Sequence, residues 1–169
     1  MQKFINAVNK ISEWSGKITG FLILPMIGII VYTALMRYVF HHAVNWGFEM
    51  SIFVYGVHFM LGGAYCLLLD SHVTVDIIPS RLPYTLEKLT QIFGRLVILF
   101  VCVMIVWLGS SWAWKSTMIW ERSIHQTAFN PPIWWFKWIL PISAALLGLQ
   151  ALADVLQRIL EMASKDKGE

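Results

Sequence analysis

Charge is what this sequence has least of. Its 169 residues hold 13 Lys and Arg against 10 Asp and Glu, and no run of five basic residues occurs. A net charge of +3 spread so thinly builds no nucleic-acid surface, so no nucleic-acid partner is expected. Cysteine is nearly missing as well: Cys66 and Cys102 both fall inside apolar runs, where a thiol behaves as a small hydrophobe, and no disulfide is expected between them. A glycine-rich phosphate loop is absent, and no serine or cysteine has a plausible base nearby in sequence. His41 and His42 are adjacent, so regular structure would turn them apart, and no Cys or carboxylate cluster lies beside them to complete a metal site. The chain is expected to be no enzyme, with no catalytic residue, cofactor or metal.

What the chain has instead is apolar surface. With 57% hydrophobic and 14% aromatic residues, a domain this small could not hide it in a soluble core. The fold class that follows is an all-α integral membrane protein, a single membrane domain over residues 1–169. Residues 18–36, 50–69 and 96–114 carry no formal charge, and 133–153 carry only Lys137 near their start. Each run, as a helix, covers about 30 Å, the hydrocarbon thickness of a bilayer. Four transmembrane helices are therefore expected. The first lacks the small-residue cleavage site of a secretory signal and is longer than one, so it reads as retained. Pro25 is expected to kink it.

Residues 1–17 form an amphipathic lead-in, in which Phe4, Val8, Ile11 and Ile18 recur at helical spacing between Lys3, Lys10 and Lys17. A helix lying at the membrane surface is the expectation. Between spans two and three, Leu82, Leu86, Leu89 and Phe93 follow steps of four, three and four from near Pro83, which predicts a short interfacial helix. Residues 154–169 read as a polar tail. Four spans put both termini on one side. The N-terminal segment, the second loop and the tail hold nine Lys and Arg (Lys3, Lys10, Lys17, Arg81, Lys88, Arg95, Arg158, Lys165, Lys167), against four elsewhere (Arg37, Lys115, Arg122, Lys137). By the positive-inside rule both termini are cytoplasmic. Trp46, Trp112, Trp114, Trp120, Trp134, Trp135 and Trp138 gather at the opposite end as an aromatic belt.

The stretch from Arg37 to Asp76 organises the rest: a polar turn, an apolar run interrupted by His58, and a second polar turn. An ionisable side chain deep in a span is a functional candidate by default, although a neutral histidine bonded to a neighbouring helix accounts for His58 as well. A bis-histidine haem site would need a second histidine at matching depth, and His41, His42, His72 and His125 all fall in loops. Arg37 and Glu49 flank the first outer loop, where Glu49 favours the helix dipole and serves equally as a hairpin staple or a substrate contact. No paired broken helices or internal repeats mark a transporter complete in itself. The residues alone point to a membrane subunit that works through partners, with a small homodimeric exporter and a haem or quinone anchor of a respiratory enzyme left as alternatives.

In order and spacing, Arg37-Tyr38-Val39-Phe40, then Trp46 and Glu49, Leu61-Gly62-Gly63-Ala64-Tyr65 and His72-Val73-Thr74-Val75-Asp76 resemble the DctQ-like small membrane subunit of tripartite ATP-independent periplasmic (TRAP) transporters. Pro132-Ile133-Trp134-Trp135 followed by Pro141 is similar to that family's fourth helix, so the likeness covers nearly the whole chain. Phe48 stands where the family often has the first of two acidic residues, His41 replaces an asparagine, and a glycine is missing around Ala144. The resemblance implies a bacterial inner-membrane complex: a periplasmic binding protein captures an organic acid, and a separate large membrane subunit imports it with a sodium gradient. The small subunit braces the large one in the lipid and binds no cofactor. On this reading Arg37, Trp46 and Glu49 fix the outer hairpin, His72 and Asp76 shape the inner turn, with Asp76 capping the interfacial helix, and His58 bonds across to the large subunit.

Overall fold

The computed structural model describes residues 2–69, 84–123 and 128–165. It contains α1 (Gln2–Phe21), α2 (Ile23–Tyr38), α3 (Gly47–Leu68), α4 (Tyr84–Met118) and α5 (Trp134–Lys165). Four stretches, Lys3–Tyr38, Gly47–Leu68, Ile92–Met118 and Trp134–Leu160, are long and apolar enough to cross a membrane, as the charge-free runs predict. Cys66 and Cys102 are free thiols.

Pro25 shapes the first span. It has no N–H to give the Phe21 carbonyl and its ring crowds that carbonyl, so the helix breaks one residue later, at Leu22. There the Leu22 N–H turns onto the carbonyls of Ile18 at 3.2 Å and Thr19 at 3.1 Å. At about 1.5 Å per residue α1 and α2 together run well beyond the thickness of a bilayer.

The lead-in is an amphipathic helix, yet it does not lie apart on a surface. It packs antiparallel along α3, where the Ser15 hydroxyl donates to the Leu61 carbonyl at 2.8 Å. Its buried face is Ile5, Val8, Ser12 and Thr19, whereas Phe4, Ile11 and Ile18 of the expected apolar stripe are exposed. In lipid the usual amphipathic order inverts, because hydroxyl groups find partners only between helices. Gly16 sets how close the helices come, since a Cβ there would overlap the Tyr65 ring at its root. With Ala64 also buried, the Leu61 to Tyr65 segment is the strip on which α1 docks. Gly16→Val should therefore destabilise the bundle by about 2 kcal/mol, the cost of overpacking a tight contact. Thermal unfolding in mild detergent measures this, and a wild-type midpoint would remove Gly16 from the argument.

α4 and α5 form an antiparallel pair. Gly109 lies against Leu140 and Pro141, and Gly148 against Cys102, small residues that let the backbones approach. Pro141 is buried inside α5, on its α4-facing side. The helix expected from near Pro83 begins at Tyr84 and continues into the third span without a break. Likewise α5 runs past Ala153 to Lys165, because Val155 keeps an apolar face inward and Gln150 bonds to Asp154 one turn on. The N-terminal part of α1, the start of α4 and the end of α5 meet at one end of the bundle, here the terminal end. The α2–α3 and α4–α5 connections lie at the other, the loop end.

Candidate functional site

The loop end holds a sizeable cavity with charged walls. α4 stops after Met118 with Trp120 left-handed (φ 47°), its N–H donating to the Thr117 carbonyl at 3.2 Å, and the Glu121 N–H donating to Ser116 at 3.1 Å. This pairing closes a helix C-terminus, and its left-handed residue is usually glycine. A tryptophan there costs about 1 kcal/mol, offset by its edge-on contact with Trp134, ring centroids 5.7 Å apart. The return strand is fixed by two backbone bonds of 2.9 Å, Ser123 N–H to Pro131 and Ile133 N–H to Glu121, with Arg122 bridged to Pro132. Pro132 thus stands two residues before α5, exposed, near the end of this turn.

The turn delivers Glu121 onto Lys137, one turn into α5, and the two form a salt bridge. Lys137 is 9% exposed, and its ammonium also sits 4.2 Å above the Trp112 ring centroid. The ammonium holds the Glu121 carboxyl below its ordinary value. Glu49, in the first turn of α3, is buried beside them. Together with Phe53, Phe136 and Leu140 these side chains line a cavity of about 530 Å³. Two carboxylates and one ammonium give it a formal charge of −1. Phe53 packs on Trp135 and Phe136 at 5.2 and 5.1 Å, closing its inner wall with aromatic rings.

The sequence candidates separate in space. Trp46 stands at the N-cap of α3 and stacks on Tyr32 of α2 at 5.9 Å. Gly47 lies against Thr33 between the same two helices. Arg37 is exposed in the last turn of α2, 6.0 Å from the Tyr38 ring centroid, whereas Glu49 is buried in the cavity. His72 and Asp76 lie outside the described residues.

His58 bonds to a neighbouring helix of its own chain: Nδ1 lies 2.7 Å from the Thr19 carbonyl. A carbonyl only accepts, so Nδ1 carries the proton of this bond. Thr19 stands three residues before the break at Leu22, where its carbonyl loses regular helical geometry.

The terminal end holds a second polar cluster, one that no periodicity or motif announces. The Gln150 side chain, fully buried, accepts from the Ser12 hydroxyl at 2.7 Å and donates to Asn9 at 3.0 Å and to Asp154 at 2.9 Å. Asp154 in turn meets Arg95 of α4 at 3.3 Å. The amide joins α1 to α5, and Asp154 carries the link on to α4. Among the described residues no group of three His, Cys, Asp or Glu is placed to hold a metal ion.

Apolar helices of spanning length, with their polar groups spent on one another at the two ends, define a polytopic membrane protein. The chain belongs to the DctQ component family of tripartite ATP-independent periplasmic transporters, whose sequence model matches residues 26–161. Proteins of that family are transporter subunits and not enzymes. The chain is 31% identical over 96 residues to the sialic acid TRAP transporter permease protein SiaT of Haemophilus influenzae (strain 86-028NP), covering 57% of this chain and 15% of that protein. It is 24% identical over 123 residues to the C4-dicarboxylate TRAP transporter small permease protein DctQ of Vibrio cholerae serotype O1, covering 70% of this chain and 52% of the relative. The chain therefore spans about half or less of the length of these relatives.

Proposed function

We propose that this small permease subunit braces a large membrane subunit that imports an organic acid with a sodium gradient, the acid being delivered by a periplasmic binding protein. The match to the DctQ component over residues 26–161 carries this reading. SiaT supports it: the likeness to that permease is confined to 15% of its length, as expected of a segment that accompanies a larger transport unit. The surface supports it as well. No residue of α2 is buried within the chain, and Phe93, Phe100 and Trp107 form a stripe at seven-residue spacing on α4, each about two-thirds exposed or more. Such a surface suits lipid on one side and a partner helix bundle on the other. The subunit sits in the bacterial inner membrane with both termini cytoplasmic. Arg37, Trp46 and Glu49 then stand on the periplasmic side, in reach of the binding protein, and His72 and Asp76 shape the cytoplasmic turn.

Affinity capture of the tagged chain from mild-detergent membranes, followed by mass spectrometry, tests the reading. A much larger polytopic membrane protein should be recovered in about equal amount. Recovery of the chain alone as a stable homo-oligomer would overturn it.

A further inference from the structure

A second recess, of about 620 Å³, runs along the outside of α1 where it packs on α3 and α5. Its lining holds one cation, Lys10, with Trp14 one turn on along α1, and otherwise Ala7, Ile11, Ser15, Ile18, Leu61 and Leu146. Polar groups in this region turn inward: Ser12 bonds to Gln150, and Ser15 to Leu61. What faces out is a cation, then an amphipathic ring, then hydrocarbon.

The depth of this gradient can be read from the antiparallel pairing of α1 with α3. Ser15 bonds to Leu61, and Gly16 meets Tyr65. Extending either pairing to Leu68, the last residue of α3, brings α1 to a level between Val8 and Glu13, which brackets Lys10. α3 is an apolar helix whose length matches the hydrocarbon layer, so its end marks where that layer gives way to headgroups. Lys10 lies at that level, and Ile18 lies about 12 Å deeper, eight residues further along the helix. Trp14, 65% exposed, falls between them, at the depth where indole rings favour the interface.

Charge decides the occupant. Glu13 is the single acid on α1, and its carboxylate is engaged by Lys17 at 2.7 Å, on the neighbouring face of the helix. Lys10 remains as the cation of the recess. We infer that the recess is a binding site for one anionic phospholipid, with the phosphate against Lys10, the glycerol region beside Trp14, and an acyl chain along Ile11, Ile18, Leu61 and Leu146. The order of its walls is the order of groups along such a lipid, and the end wall is apolar enough to take a chain that would otherwise lie in bulk bilayer. The bound lipid would seal the seam between α1 and the α3–α5 pair, which the helices leave open to the outside.

The test is native mass spectrometry of the protein purified in mild detergent, with any large subunit that accompanies it, after addition of equal amounts of dioleoyl phosphatidylglycerol and dioleoyl phosphatidylcholine. One phosphatidylglycerol per chain should be retained in preference to phosphatidylcholine. Lys10→Gln should lower that retention about fivefold, the loss expected of one lysine near an anionic headgroup, and Lys10→Arg should restore it. Lys3→Gln, an α1 lysine outside the recess, should leave retention unchanged. Lys10 is exposed, so an unaltered melting midpoint separates lost binding from lost folding. Equal retention of both lipids overturns the assignment, as does wild-type retention in Lys10→Gln or an equal loss in Lys3→Gln. The outcome does not depend on the identity of the large subunit, so it stands or falls separately from the proposed transport role.

Discussion

Replacing Lys137 with Met should cost about 3 kcal/mol of stability, the penalty for stranding one member of a buried ion pair. The substitution keeps the length and apolar stem of the side chain and removes only the ammonium. Glu121 then loses its salt bridge, and Trp112 loses the cation 4.2 Å from its ring. The double variant Lys137→Met/Glu121→Leu should recover most of the loss, because two apolar groups of similar volume leave no unpaired charge. Thermal unfolding of the two single variants and the double variant decides this, and simple additivity would mean that the pair contributes nothing as a pair. The sign of the pH response follows from the direction in which Glu121 is shifted. Its carboxyl is held below the ordinary 4.5 by the ammonium. The stability it contributes is complete above that ordinary value and is lost as pH falls through the lowered one. Acidification below about pH 5 should destabilise the wild type more than the double variant.

Gln150→Leu is expected to have an effect of the same size by another route. The leucine fills the space but leaves the Ser12 hydroxyl, the Asn9 amide oxygen and one Asp154 oxygen without the amide that serves all three. Buried polar groups stripped of partners cost about 1 to 3 kcal/mol in a case of this kind. The damage should concentrate in α1, which is held to α5 through that amide. Hydrogen–deuterium exchange over residues 2–16 should accelerate, while exchange in the packed centre of α4 and α5 should change little. Unaltered exchange in α1 would show that its contact with α3, through Gly16 and Tyr65, holds it without help.

The four spans were legible because so small a chain has no interior in which charge-free runs of spanning length could be buried away from lipid. The break near Pro25 was legible from the covalent chemistry of proline. The inward face of α1 was legible only in part, because Val8 of the visible apolar stripe is buried but Phe4, Ile11 and Ile18 point outward. Ser12 and Thr19 carry no hydrophobic signature, yet they are buried with Ile5 and Val8. The cavity at the loop end was half legible. Glu49 stood out at the start of α3, but Lys137 read only as a cation near a span entrance, and Glu121 as a loop residue. Their meeting depends on a left-handed tryptophan that local propensity argues against. The Gln150 cluster was illegible, because its bonded members lie up to 141 residues apart and Arg95 and Asp154 resemble ordinary flanking charges.

The bond between Ser12 and Gln150 joins α1 to α5 across 138 residues of chain. Helices enter the membrane in order, so α1 is inserted with Asn9 and Ser12 facing a position that stays empty until α5 emerges. A chain truncated before Gln150 would leave Ser12 and Asn9 without the amide that joins them to α5.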